Sequence, residues 1–164
     1  MSRDLNSHIK FIIKEIIKDN LTEIFDTPPF KSTFNFVEEE GLVYVPEFED
    51  PQGNTIKIFF WEQPQDAYVV DFTLNGSSFG NKNIEYSLKE YTSLIRTIYE
   101  AVNSFLDKHQ PYALEIGGAD SFKKIRKMDQ KNSIYKYATK FLKPHSSYKI
   151  LFKNNGDLNL IKTQ

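Results

Sequence analysis

The amino-acid sequence predicts an α+β domain, or an α/β domain with a mixed sheet, in which a long helix covers a mostly antiparallel sheet of about six or seven strands. Three observations lead to this prediction: short β-type segments between residues 33 and 74, an apolar stripe at helical spacing from Ser87 to Lys108, and a hairpin signal near the C-terminus. A chain of 164 residues suits one domain, so residues 1–164 are predicted to form a single unit with shorter helices near both termini.

Four segments in the first half of the chain have the composition and alternation of strands. They cover residues 33–37, 42–45, 55–61 and 67–74. Turn-forming residues separate them, and short turns favour antiparallel neighbours. The acidic run Glu38-Glu39-Glu40 is expected at a solvated strand end or turn.

The helix from Ser87 to Lys108 is the clearest element in the sequence. Its apolar stripe continues to Leu106, and Ser87 with Glu90 matches a capping box. A second amphipathic helix is predicted at residues 4–19, because isoleucines recur there at helical spacing. We expect this helix to pack on the domain or to extend from it.

The remaining elements follow the long helix. Residues 112–116 have the pattern of a buried strand, and a shorter helix is predicted near residues 129–142. Residues 148–153 and 157–161 flank the run Asn154-Asn155-Gly156, which is typical of a hairpin turn.

Several kinds of chemistry have no support in the sequence. There are no cysteines, which excludes disulfides and thiolate metal sites. His8, His109 and His145 are far apart and have no chelating spacing, and we expect His109 and His145 to be exposed at helix ends. Phosphate-binding loops of the known glycine spacings are missing. We therefore predict no catalytic residue, no metal site and no cofactor.

Two polar features leave alternatives open. The loop that contains Gly76, Ser77, Ser78 and Gly80 is either a plain surface loop or a ligand-binding loop, and it lacks the nucleophile-elbow spacing. Asp71 and Glu115 interrupt apolar runs. Alternation either points these two carboxylates to solvent or brings them together on neighbouring strands.

Charge is distributed very unevenly along the chain. Residues 1–120 hold 10 Lys and Arg against 20 Asp and Glu, whereas residues 121–164 hold 11 against 2. Residues 123–143, which we call the basic segment, hold 8 of the 11 Lys and Arg of residues 121–164. Such a segment can bind phosphates as point charges. Its alternative role is to dock on the acidic body, within one chain or across a dimer. The candidate binding residues are Lys123, Lys124, Arg126, Lys127, Lys131, Tyr135, Lys136, Lys140 and Lys143.

From Ala67 to Lys149 the order of elements resembles a group of uncharacterised small proteins from bacteriophages and Bacteroidetes-type bacteria. Their outline is a strand pair, a glycine-containing loop, a long helix, a short strand, a helix with a tyrosine and a final strand. Thr97-Ile98, the strand 112–118 and Ser133-Ile134-Tyr135 carry the resemblance. It implies no known activity.

The same outline is similar to the second half of the GNAT acetyltransferase fold. Asn132 and Tyr135 correspond to the last element of that outline. The family's pyrophosphate loop leads directly into its helix, whereas here Gly76 and Gly80 lack the family's spacing and residues 81–86 intervene. The resemblance therefore implies a version of the fold without bound acetyl-CoA.

These observations favour a non-enzymatic phage-type accessory or virion-associated protein. It would bind a protein partner or nucleic acid through the basic segment, or associate with itself. The alternative is a divergent GNAT-like acyltransferase that uses the loop at residues 76–80 and Tyr135. The sequence shows neither a signal peptide nor an apolar run long enough for a membrane helix. We therefore expect a soluble protein in the cytoplasm of the host cell or inside a virion.

Overall fold

The computed structural model describes residues 27–78, 86–116, 147–152 and 158–163. These residues form eight strands and one long helix, which we label α1. The elements are β1 (Val37–Glu39), β2 (Leu42–Glu49), β3 (Thr55–Gln63), β4 (Ala67–Leu74), β5 (Ser77–Ser78), α1 (Leu88–His109), β6 (Ala113–Ile116), β7 (Tyr148–Phe152) and β8 (Leu158–Lys162). The helices predicted at residues 4–19 and 129–142 lie outside the described residues.

All eight strands belong to one mixed sheet. Seven follow the order β1-β2-β3-β4-β6-β8-β7, and the short β5 pairs with β4. The β4–β6 pair is parallel, whereas the other pairs are antiparallel. Helix α1 connects the two parallel strands, as a crossover must because parallel neighbours cannot be joined by a tight turn. The described residues thus have the α+β architecture with a mixed sheet.

The capping residues predicted for the long helix are in place. The Ser87 hydroxyl accepts a hydrogen bond from the Glu90 backbone N–H, and the Glu90 carboxylate accepts one from the Ser87 N–H. These two bonds satisfy backbone donors that the first turn leaves unpaired. Gln110 ends the helix in the left-handed conformation, and its N–H donates to the Leu106 carbonyl.

Helix α1 buries one face of the sheet. The ring of Phe105 stacks on Phe60 of β3, with centroids 4.0 Å apart and planes 4° from parallel. Leu94, Ile98 and Val102 of the apolar stripe predicted from the sequence are buried. In the regular parts of β2, β3, β4 and β6, every second residue enters this core, as the period of a strand requires. The buried strand residues of the core are Val43, Val45, Ile56, Ile58, Phe60, Val70, Phe72, Leu74, Leu114, Ile116, Tyr148 and Leu160.

The strand predicted at residues 33–37 is wrong in its bounds. Only Val37–Glu39 pairs with β2. Phe36 instead lies on the helix side of the sheet, with its ring edge-on to both Phe60 and Phe105 at 5.9 Å. Phe34 and Phe36 pack on the core, but residues 33–36 do not join the ladder.

The exposed position predicted for His109 is also wrong. Its side chain is only 14% exposed. The imidazole stacks on Phe105 at 4.5 Å and lies edge-on to Phe36 at 5.7 Å, and its Nε2 is 2.8 Å from the Glu38 carboxylate. A helix-terminal histidine is buried here because residues 33–38 cross the end of α1.

The two strands predicted for the C-terminal hairpin pair antiparallel, and the turn predicted between them lies outside the described residues. The second strand of the pair, not the first, lies next to the rest of the sheet. β8 lies beside β6, and β7 forms the edge of the sheet. The hydroxyl of Tyr148 in β7 donates to the Pro111 carbonyl at 2.6 Å. This bond links the edge strand to the segment between α1 and β6.

Replacing Ile98 with alanine tests the packing of α1 on the sheet. The side chain is 2% exposed, so its loss removes apolar contacts and leaves a cavity. We expect Ile98→Ala to lower the free energy of unfolding by about 2–5 kcal/mol, measured by urea titration. Lys89→Ala, an exposed position in the first turn of the same helix, is the control and should stay close to wild type. An unchanged urea midpoint for Ile98→Ala would contradict this packing.

Tyr148 makes stability depend on alkaline pH. Burial, followed by the charges of Asp66 and Asp107, raises the pKa of its hydroxyl from 10.0 to about 12. Since the folded pKa lies above the unfolded value, this contribution is complete below pH 10.0 and is lost as pH rises toward about 12. Tyr148→Phe should therefore lose less stability than wild type over this window, measured as the urea midpoint against pH. Parallel curves for the two proteins would contradict the assignment.

Candidate functional site

The face of the sheet turned away from α1 carries a contiguous group of apolar and aromatic side chains. We call this group the aromatic face. Strand register aligns its members across β2, β3 and β4, because Tyr44 pairs with Phe59 and Leu42 pairs with Trp61. Trp61 in turn pairs with Val69. The aromatic face consists of Leu42, Tyr44, Lys57, Phe59, Trp61 and Val69.

Trp61 is the most exposed member of the aromatic face. It is the only tryptophan in the chain, and 42% of its surface is exposed. Its indole stacks on Phe59, with ring centroids 5.7 Å apart and planes 16° from parallel. The two rings are held side by side on one strand because residues two apart point to the same side. A large flat apolar surface is therefore fixed before any partner arrives.

Lys57 and Glu39 both contact Tyr44 of the aromatic face. The Lys57 ammonium lies 4.5 Å from the centroid of the Tyr44 ring and 5.3 Å from that of Phe59, within the range of a cation–π contact. The Tyr44 hydroxyl donates to the Glu39 carboxylate at 3.3 Å. Partial desolvation, followed by the charge of Glu39 and this hydrogen bond, raises the pKa of the Tyr44 hydroxyl.

The surroundings of the aromatic face are acidic. Residues 27–78 contain nine Asp and Glu but only two Lys. Register places Glu39, Asp71 and Glu115 on the same side of the sheet as Trp61. Asp71 and Glu115 thus do share one face of neighbouring strands. Glu115 pairs with Val69, which is two residues before Asp71 in β4. The combination of exposed aromatic rings and negative charge suits a partner that is apolar and cationic.

The loop predicted from Gly76, Ser77, Ser78 and Gly80 begins as a tight turn. Asn75 and Gly76 have φ angles of 51° and 74°, as the two central residues of a type I′ hairpin turn require. Ser77 and Ser78 form β5 and pair with Leu74 and Thr73. The Asn75 side chain accepts from the Thr55 N–H and donates to the Asn54 side chain, both at 2.9 Å. Gly80 lies outside the described residues.

Asp50 is a buried carboxylate, 5% exposed, and would be a natural candidate for acid–base chemistry. Its oxygens accept hydrogen bonds from the Gln52 and Asn54 backbone N–H groups at 2.8 and 2.9 Å. They also accept from the Asn54 side chain at 3.0 Å and from the Tyr86 hydroxyl. These donors hold the turn between β2 and β3 and the start of α1 together, which gives Asp50 a structural role.

All the residues of the basic segment predicted to bind a partner lie outside the described residues. These are Lys123, Lys124, Arg126, Lys127, Lys131, Tyr135, Lys136, Lys140 and Lys143. Across residues 27–78, 86–116, 147–152 and 158–163, no cluster of three His, Asp or Glu side chains could hold a metal ion. In the same residues, no helix has the length and apolar character needed to cross a membrane.

Sequence reasoning missed the aromatic face, although a signal was present. In β3 the residues Lys57, Phe59 and Trp61 alternate with Ile56, Ile58 and Phe60. Both sides of this strand are therefore largely apolar, which is the pattern of a strand buried on both faces. Only the structure shows that α1 covers the isoleucine side and that Trp61 is exposed.

A scan against protein-family models, a search of curated proteins and a search of solved structures found no match to this chain. No relative therefore supplies an activity by analogy. The argument for function rests on the site itself, which is where function must be argued in any fold.

Proposed function

We propose that this protein is a non-enzymatic binding protein of the accessory type, and that it engages a protein partner through the aromatic face. The observation that carries the proposal is the stacked pair Phe59 and Trp61, held on the side of the sheet turned away from α1, with Trp61 42% exposed. Tryptophan and tyrosine are the residues that most often dominate protein–protein binding energy, because they bury a large area at low entropic cost.

The charge around the aromatic face supports a basic protein segment as the partner. Nine acidic residues against two lysines in residues 27–78 would repel the phosphates of a nucleic acid. The same charges attract lysine and arginine side chains, and Glu39 lies directly beside the Tyr44 ring. A segment that alternates apolar and basic residues would fill the aromatic surface and meet the carboxylates at its rim.

The basic segment is a separate hypothesis for an anionic partner. It rests on the charge contrast within the sequence, with 11 Lys and Arg against 2 Asp and Glu in residues 121–164. A nucleic acid bound there would release counterions, so its affinity would fall steeply with salt. Lys136→Glu with Lys140→Glu would then abolish binding of a single-stranded oligothymidylate and leave the emission of Trp61 unchanged.

Trp61 reports directly on occupancy of the aromatic face, because it is the only tryptophan. We expect peptides that combine leucine or phenylalanine with lysine and arginine to shift its fluorescence to shorter wavelength as they cover the indole. Phe59→Ala should weaken this binding about tenfold or more, since truncating a residue at the centre of an interface costs at least about 1–2 kcal/mol. The binding should also weaken as salt concentration rises.

Tyr112→Ala is the matched control for this titration. Tyr112 is an aromatic residue that is 56% exposed, but it precedes β6 and lies outside the aromatic face. Its loss should leave the titration unchanged. Equal affinity in the Phe59→Ala protein would refute a role for the aromatic face, and a shift produced by oligothymidylate in place of peptide would assign the face to nucleic acid.

One observation favours the alternative of a GNAT-like acyltransferase. Strand β4, the loop that follows it, helix α1 and the parallel strand β6 occur in the order of the resemblance described above. The start of the helix opposes it, because the Glu90 carboxylate already accepts from the Ser87 N–H at 2.7 Å. A pyrophosphate at this helix terminus would meet that negative charge. The short strand β5 also pairs with Thr73 and Leu74 of β4, beyond the residues of β4 that pair with β6.

Acetyl-CoA at millimolar concentration should therefore leave the melting temperature unchanged. A specific ligand present at a hundredfold excess over its dissociation constant would add about 2.7 kcal/mol of stability, which thermal denaturation detects easily. A clear rise in melting temperature would revive the acyltransferase alternative and displace the non-enzymatic proposal.

A further inference from the structure

The two edges of the sheet differ in how they are protected against pairing with another strand. At the β1–β2 edge, β1 is only three residues long and is followed by the acidic turn that begins at Glu40. Beyond β1, β2 contains Pro46, and its register with β3 shifts between Val45 and Phe48. Short strands, charges, proline and irregular register are the features that prevent edge-to-edge association.

The opposite edge, formed by β7, is less protected. Its five residues are Tyr148, Lys149, Ile150, Leu151 and Phe152. They contain one charge and no proline, and they pair with β8 in regular register. Within the part of the chain that the structure describes, β8 is the only strand that hydrogen-bonds to β7. Leu151 is 37% exposed there.

We propose that β7 pairs antiparallel with β7 of a second copy of this chain, about a two-fold axis at Ile150, so that the sheet continues across the dimer. In this register Lys149 lies opposite Leu151 of the partner subunit, so the two lysines avoid each other. Ile150, which shares the core side with Leu160, meets Ile150 of the partner subunit, and Tyr148 lies opposite Phe152 of the partner subunit. β7 can therefore pair with itself in a register that places no like charges opposite each other.

This arrangement goes beyond the proposed function and follows from a different part of the sheet. With a two-fold axis perpendicular to the sheet, the same face of the sheet points in the same direction in both subunits. Both α1 helices would then cover one side of the continuous sheet. Both aromatic faces would lie on the other side, where a single partner could meet them together.

A charge swap tests the register as well as the association. Leu151→Lys places an ammonium group opposite Lys149 of the partner subunit, and like charges directly opposite each other destabilise a strand pair. We expect the dimer dissociation constant to rise about tenfold, measured by sedimentation velocity. Adding Lys149→Glu to the same protein puts opposite charges across the two-fold axis, and the dimer should return.

Tyr112→Lys introduces the same charge at another exposed position and should leave the dimer intact. Circular dichroism and the melting temperature report whether each variant is folded, and only folded variants are compared. The proposal is overturned if the wild type is a monomer throughout the micromolar range. It is equally overturned if folded Leu151→Lys dimerises like wild type, or if the double substitution does not restore the dimer.

Discussion

The contact between helix α1 and one face of the sheet is the interaction on which the rest of the structure depends. It combines the stack of Phe105 on Phe60 with an unbroken row of buried residues on both partners. Because α1 also joins the parallel strands β4 and β6, the same contact sets the order of the central strands. The burial of apolar area on both partners is the main favourable contribution to this contact. Among the described residues, no helix packs on the second face of the sheet, where Trp61 is exposed.

A polar network fixes the elements that carry the aromatic face. Asp50 joins the turn between β2 and β3 to Tyr86 at the start of α1, and Asn54 joins that turn to Asn75. The network is buried or half-buried and supplies the donors that the Asp50 carboxylate needs, as a buried charge requires. The β2–β3 hairpin is consequently held at its end. The side chains of β3 that form the aromatic face are thus presented from a rigid strand and not from a loop.

In the proposed dimer, pairing of the two β7 strands would place the aromatic faces of both subunits on the same side of one continuous sheet. An isolated aromatic face would bind a short basic segment with the affinity of a single site. Two faces on one side of a continuous sheet would bind a partner with repeated segments far more tightly, because the second contact becomes intramolecular. The acidic charge of residues 27–78 would act on both faces together and speed the encounter with a cationic partner. The two proposals therefore reinforce each other, although each rests on its own observation.

The sequence by itself determined the elements whose signals are local. The period of the apolar residues and the Ser87–Glu90 capping box defined α1, and turn residues with alternation defined most of the strands. Alternation could not say which side of a strand would be covered, so the exposed aromatic side of β3 was not recognised. It also could not show that the β1–β2 ladder begins only at Val37, because strand pairing depends on tertiary contacts.

Only the tertiary structure decided the pairing of distant strands. The parallel register of β4 and β6 and the position of β8 between β6 and β7 join residues far apart in the chain. Such pairings depend on the packing of α1 and on which edges remain available, and no local pattern encodes them. The burial of His109 against Glu38 and Phe105 has the same origin. Local periodicity therefore determined what the segments of this protein are, and long-range packing decided which of their surfaces are left to bind.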